Sequence, residues 1–321
     1  MNKINIFQLL DQLIHDLSEH EFKAVEFPNI TGVFIAINRA RLPVLLITSN
    51  DAGIPLQLKT DMLSLLLHTK GTVYSHGKLL ETKKFHMLQC ESSDTATVES
   101  FLILVRAFVS KLSYNNCSNN DLIEFFQTLV RLFKVSPVPD LLRERQGLWG
   151  ELFLLQWVGD IKHWTKFWHS DFTLKFDFAS NNKRIEVKTS MGERIHYFSH
   201  DQLFSNDKEI AIASIMLSKD DAGKSLRELI NEVRTAIADE PDLIIKLENA
   251  IRKAGMQDLS ENGPRFDYTE ASRHIAWFWS DFVPRFNQAE PPGVSNTHYR
   301  VNLATVEQVN DDELRKWLNT W

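Results

Sequence analysis

Apolar residues recur every three to four positions at the start of the chain, where Ile6, Leu9, Leu10, Leu13, Ile14 and Leu17 share one face of an expected helix. The period then changes. "GVFIAIN", "PVLLIT", "GTVYSHGK" and "KKFHMLQC" are short strand-like runs punctuated by Asn, Asp, Gly and Pro. Helical spacing returns in "ATVESFLILVRAFVSKL" and "NDLIEFFQTLVRLFK", with Ser118 or Asn119 as cap of the second. The two prolines of "KVSPVPD" bar its continuation and favour extended chain. These shifts predict a β-rich N-terminal domain over 1–93, a helical connector over 94–137 and a second domain over 138–321.

Beyond the prolines, "LLRERQGLWGELFLLQWVGD" has the pattern of a helix. "FDFASNNKRIEVKTS" reads as two strands around an Asn-Asn-Lys turn, and "EIAIASIMLS" as a buried strand. "GKSLRELINEVRTAIAD" and "DLIIKLENAIRKAG" are amphipathic helices, after which "RHIAWFWSDFVPRF" and "HYRVNLATVE" return to strands. Helix, strands, helix, strand and helix in that order predict an α/β or α+β core with a mixed sheet flanked by helices. "GKSL" at 223–226 lacks the rest of a phosphate-binding loop and reads as a loop leading into a helix. Trp277, Phe278, Trp279 and Phe282 read as a bulky core strand in preference to a platform for bases.

With 321 residues, 43% hydrophobic and 24% charged, the chain can bury a sizeable core. No apolar run approaches the roughly 18 residues of a membrane span, and the first residues are too polar for a signal peptide, so a cytoplasmic protein is expected. Cys90 and Cys117 match no metal or redox spacing and are expected as free thiols. A net charge of −6 argues against coating nucleic acid through bulk positive charge, but leaves room for a basic rim around an acidic, metal-binding centre. The absence of a His-Cys cluster, a G-x-S-x-G elbow and a dinucleotide fingerprint argues against zinc hydrolases, serine hydrolases and Rossmann enzymes.

The hairpin at 176–190 raises a chemical question, because it carries Asp177, Glu186 and Lys188 between apolar residues. Alternation sends Glu186 and Lys188 to one face and Val187 to the other, and the turn brings Asp177 near Glu186. Two neighbouring carboxylates repel and take up a proton unless a cation separates them. Mg²⁺ suits such a pair, with Mn²⁺ able to substitute, and the Val187 carbonyl is a further oxygen ligand. Lys188 can then position an attacking water and neutralise charge on a phosphorane-like transition state. The alternative is a salt-bridge ladder on a solvated face. On the preceding helix, Glu151 among Leu148, Trp149, Leu152 and Phe153 needs a partner, for which Arg145 and Lys188 are candidates. Arg143 and Arg145 are candidates for the basic rim. Arg194 and His196 share a strand face that can meet a phosphate, though a His with apolar neighbours is also a common structural group.

The spacing Asp, eight residues, Glu, one residue, Lys resembles the PD-(D/E)XK nuclease signature, with Phe176 in place of its Pro. "RERQGLWGELFLL", "IEVKTS", "RIHYFSHDQL", "FVPRF" and "PPGVSNTHYRVNL" resemble, in that order, blocks of the prokaryotic family of PD-(D/E)XK motif proteins. The resemblance implies a restriction-endonuclease-like core with Asp177, Glu186 and Lys188 as catalytic residues and Glu151 as the first-helix carboxylate. Gln202 would be the polar residue opening the next core helix. It also implies a Mg²⁺-dependent endonuclease acting on DNA in a restriction-like phage-defence system, beside ATPase and DNA methyltransferase partners. RNA or branched DNA as substrate, and a catalytically silent nucleic-acid-binding or assembly subunit of the same fold, remain open alternatives. Double-strand cleavage by a single site would favour a homodimer.

Overall fold

Long apolar strands dominate the N-terminal part of the computed structural model, which describes residues 6–14, 22–28, 30–49, 53–75, 78–112, 117–133, 141–169, 175–205, 207–258 and 260–321. Helix α1 (Ile6–Ile14) precedes β1 (Phe22–Glu26), β2 (Val33–Asn38), β3 (Pro43–Thr48), β4 (Leu56–Lys59), β5 (Leu63–Ser75) and β6 (Lys78–Cys90). The order β1-β2-β3-β6-β5 returns to β1, and every junction is antiparallel except β1 with β5. Five strands of alternating direction cannot close without one parallel join. β5 is long enough to share a single edge between β4, at residues 64–67, and β1, at Val73 and Tyr74. Phe22, Phe34, Leu46 and Phe85 fill the space the strands enclose. Helices α2 (Thr95–Leu112) and α3 (Asn119–Phe133) follow, with Phe108 stacked on Phe125.

The remaining elements are α4 (Leu141–Trp157), α5 (Ile161–Phe167), β7 (Phe178–Ser180), β8 (Lys183–Ser190), β9 (Ile195–Ser199) and α6 (His200–Leu203). Then come β10 (Glu209–Met216), β11 (Lys219–Ser225), α7 (Leu226–Ala236), α8 (Pro241–Lys253), β12 (Arg265–Phe266) and α9 (Tyr268–Arg273). β13 (Ala276–Trp279), β14 (His298–Asn302) and α10 (Asp311–Leu318) complete the chain. A mixed sheet of order β13-β10-β8-β7 lies at the centre: β10 runs parallel to β8, while β13 and β7 are antiparallel to their neighbours. β10 is buried from Ile210 to Ile215, as a strand covered on both faces should be. Asn181, at φ 45°, takes the left-handed turn position that joins β7 to β8, a conformation Asn tolerates better than most residues.

By contacts the chain divides into two compact units, Met1–Pro137 with Ala238–Glu248, and Val138–Ile237 with Asn249–Trp321. The segment 134–140, where the sequence suggests a boundary, lies outside the described residues. Three expectations shift. The aromatic run is a strand only over Ala276–Trp279 before a 3-10 turn, and "HYRVNLATVE" is a strand only to Asn302. "GKSL" spans the end of β11 and the start of α7, where Ser225 and Glu228 form a reciprocal cap. No helix among the described residues is long and apolar enough to cross a membrane.

Candidate active site

The site grows from the edge of β8. β7 pairs only with Lys183, Arg184 and Ile185, so from Glu186 onward the outer edge of β8 is left to side chains. Asp177 sits in the bend before β7, one residue short of the strand expected there, and its Oδ2 accepts the Val187 N–H at 2.7 Å. A strand residue points its N–H and C=O to the same edge, so the Val187 carbonyl also faces the Asp177 side. Glu186 is 4% exposed, which removes the solvated-ladder alternative.

α4 lies close against β8 because of Gly150: a Cβ there would stand 2.3 Å from Thr189 Cγ2. The next residue, Glu151, is thereby held beside the strand. Its Oε2 accepts the indole N–H of Trp168 at 2.7 Å. The third anchor is Gln202 in the first turn of α6, whose Oε1 accepts the Ser199 N–H (3.1 Å) while its Nε2 donates to Glu186 Oε1 (2.6 Å). Lys188 Nζ pairs with the same Glu186 oxygen at 2.7 Å, lies 3.4 Å from Gln202 Oε1, and sits over the Phe198 ring.

Glu151, Asp177, Glu186 and Gln202 line one cleft of about 360 Å³, with Glu144, His169, Lys175 and Lys253 also on its walls. Burial pushes the Glu186 carboxyl up to about 8; the charge of Asp177 adds to this and the Lys188 ammonium opposes it. Burial also raises Asp177 to about 6 against the Val187 hydrogen bond and Lys188, and lifts Glu151 well above the carboxylate range, with Asp177 adding. Each carboxylate thus has one oxygen held by a protein donor, and Glu186 Oε2 is buried with no partner. Among the described residues no three His, Cys, Asp or Glu side chains stand close enough to enclose an ion unaided. An oxygen-rich, partly anchored set short of a full cage fits Mg²⁺, which takes one or two carboxylates and completes its shell with water and substrate oxygens.

A family model described as "Putative PD-(D/E)XK family member, (DUF4420)" matches residues 15–304. The chain belongs to this family. No curated protein and no solved structure matches it. PD-(D/E)XK proteins are generally nucleases and typically use divalent metals. The mixed α/β fold described above is consistent with that family.

Of the residues the PD-(D/E)XK reading singles out, Asp177, Glu186, Lys188, Glu151 and Gln202 come together, while three others do not. Arg145 donates to the carbonyls of Ala254 and Gly255 and pairs with Glu261, closing the end of α8. Arg194 donates to Ser214 and to the His274 carbonyl. His196, 3% exposed, meets Ser214 Oγ at 2.7 Å, and burial pushes its imidazole down to about 4. These three do not line the cleft. Glu151 pairs with neither Arg145 nor Lys188, whose partners are Glu261 and Glu186. Sequence reasoning misses Trp168, His169, Lys175 and Lys253. Trp168 and His169 lie past α4 in a stretch whose aromatic pattern signals only core.

Proposed function

We propose that this PD-(D/E)XK protein is a Mg²⁺-dependent endonuclease that hydrolyses DNA phosphodiester bonds on a restriction-endonuclease-like core. One observation carries the reading: three carboxylates from separate elements, Glu186 buried and Glu151 and Asp177 partly so, face one cleft, each with one oxygen held by a donor, and Glu186 Oε2 has no partner among the protein's own groups. A structural cluster would satisfy that oxygen, because a buried acceptor without a partner costs roughly 1–3 kcal/mol. Asp177, Glu186 and the Val187 carbonyl would hold the metal, and Glu151 a second ion or an ordered water. Bound there, Mg²⁺ supplies Lewis-acid stabilisation of the phosphate oxygens.

The chain's own residues do the rest. Lys188 orients the attacking water, and its ammonium offsets the charge that grows on phosphate as the P–O bond breaks. Gln202 keeps Glu186 and Lys188 in register by touching both. The resemblance of the sequence blocks supports a role in a restriction-like phage-defence system with ATPase and DNA methyltransferase partners, and cutting both strands with one site per chain favours a homodimer.

The test is cleavage of plasmid DNA with Mg²⁺ or Mn²⁺ by wild type, Lys188→Ala and Asp177→Ala, alongside metal titration by calorimetry. Nicking or linearisation lost in both variants is expected. A wild type that neither cleaves nor binds metal would make the cluster structural and favour a silent binding subunit.

A further inference from the structure

A phosphodiester approaching this cleft meets Glu144, Glu151, Asp177 and Glu186, so its negative charge must be met by cations from the walls. Lys188, paired with Glu186, serves the reacting phosphate alone, and Arg145 closes α8, so the neighbouring phosphates need other cations. Two lysines line the cleft. Lys175 stands in the bend that leads to Asp177, and its backbone carbonyl accepts the Gln202 amide at 3.4 Å, which ties it to the residue that touches Glu186. Lys253 comes from the last turn of α8, and its ammonium acts on the Glu151 carboxylate. The Lys175 side chain is 62% exposed and its ion-pair partner Asp201 53% exposed. Such an exposed pair is weak, and a phosphate can take its place.

We propose that Lys175 and Lys253 are DNA-backbone contacts of this cleft, gripping phosphates on either side of the one held over the carboxylates; this rests on the nuclease reading. A compact ammonium on a flexible stem suits such contacts, which position the strand without reading its sequence.

The experiment measures equilibrium binding of a labelled DNA duplex in Ca²⁺ across a series of salt concentrations, with the duplex checked for integrity after each titration. Lys175→Ala and Lys253→Ala are each expected to weaken binding and to lower the slope of log affinity against log salt by about 1. Lys175→Arg and Lys253→Arg, which keep the charge, should restore the slope, and exposed Lys219→Ala, away from the cleft, should leave it unchanged. A wild type that binds the duplex with slopes indifferent to both alanine changes would overturn the grip and leave the nuclease reading standing. Slope losses seen only with single-stranded RNA would overturn the DNA assignment. A wild type that binds neither nucleic acid would overturn the grip together with the reading beneath it.

Discussion

The indole N–H of Trp168 donates to Glu151 Oε2 at 2.7 Å, with the Trp168 ring wholly buried. This bond decides which carboxylate oxygen is held and which is left for the cleft. Trp168→Phe keeps most of the ring and removes the donor. With Glu151 lifted well above the carboxylate range the acceptor is a neutral acid in the metal-free protein, and such a hydrogen bond is worth about 0.5–1.5 kcal/mol. The expected outcome is a lowered melting temperature with the fold kept, and weaker Mg²⁺ affinity by calorimetry; unchanged metal affinity would mean that Glu151 takes no part in binding the ion.

The carboxylates also set a pH dependence. Asp177 rises from 3.8 to about 6 and Glu186 from 4.5 to about 8, so the folded protein keeps protons that the unfolded chain releases. Their contribution to stability is therefore fully present below the unfolded values and is lost as pH climbs through about 6 and then about 8. The metal-free protein should melt at progressively lower temperature over that range. A divalent cation competes with those protons, so the thermal shift on adding Mg²⁺ should grow with pH. Glu186→Gln should flatten both trends, and melting curves in matched buffers test this.

Two glycines on α4 should respond in opposite ways. Gly150→Ala places a methyl 2.3 Å from Thr189 Cγ2, which forces the helix off β8 at the residue beside Glu151. Overpacking of this kind costs roughly 1–3 kcal/mol, and cleavage should fall with it. At Gly147 a Cβ meets nothing within 4 Å, and Ala raises helix propensity by up to about 1 kcal/mol. Gly147→Ala should melt at or above wild type.

Arg194 tests the division between structure and site. Its guanidinium meets Ser214 Oγ, the Ser214 carbonyl and the His274 carbonyl. Arg194→Ala should destabilise by about 1–3 kcal/mol through acceptors left unpaired. The salt slope of DNA binding should stay at the wild-type value, and a slope lowered by about 1 would make Arg194 a phosphate contact.

Much of the site was legible in the chain. Alternation in "RIEVKTS" placed Glu186 and Lys188 on one face, Asn181 and Asn182 marked the turn, and the run "LLRERQGLWGELFLLQWVGD" around Glu151 read as the helix that became α4; each signal is local and survives in the fold. Asp177 was identified, but its place was misjudged by one step, because it serves β8 with a side chain where a backbone pairing was expected. The short helices α5, α9 and α10 were not read, since six to eight residues give too little periodicity to recognise.

Sequence by itself determined which residues are chemically suited to the site, and the periods of the elements that carry them. Only the tertiary structure decided their company: that Arg145 closes α8 across 109 residues instead of meeting a phosphate, that Trp168 and not an arginine holds Glu151, and that Lys175 and Lys253 share a cleft. The physical reason is range. Strand and helix periods arise from neighbours a few residues apart, whereas burial and hydrogen-bond partnership depend on segments that packing brings together from far along the chain.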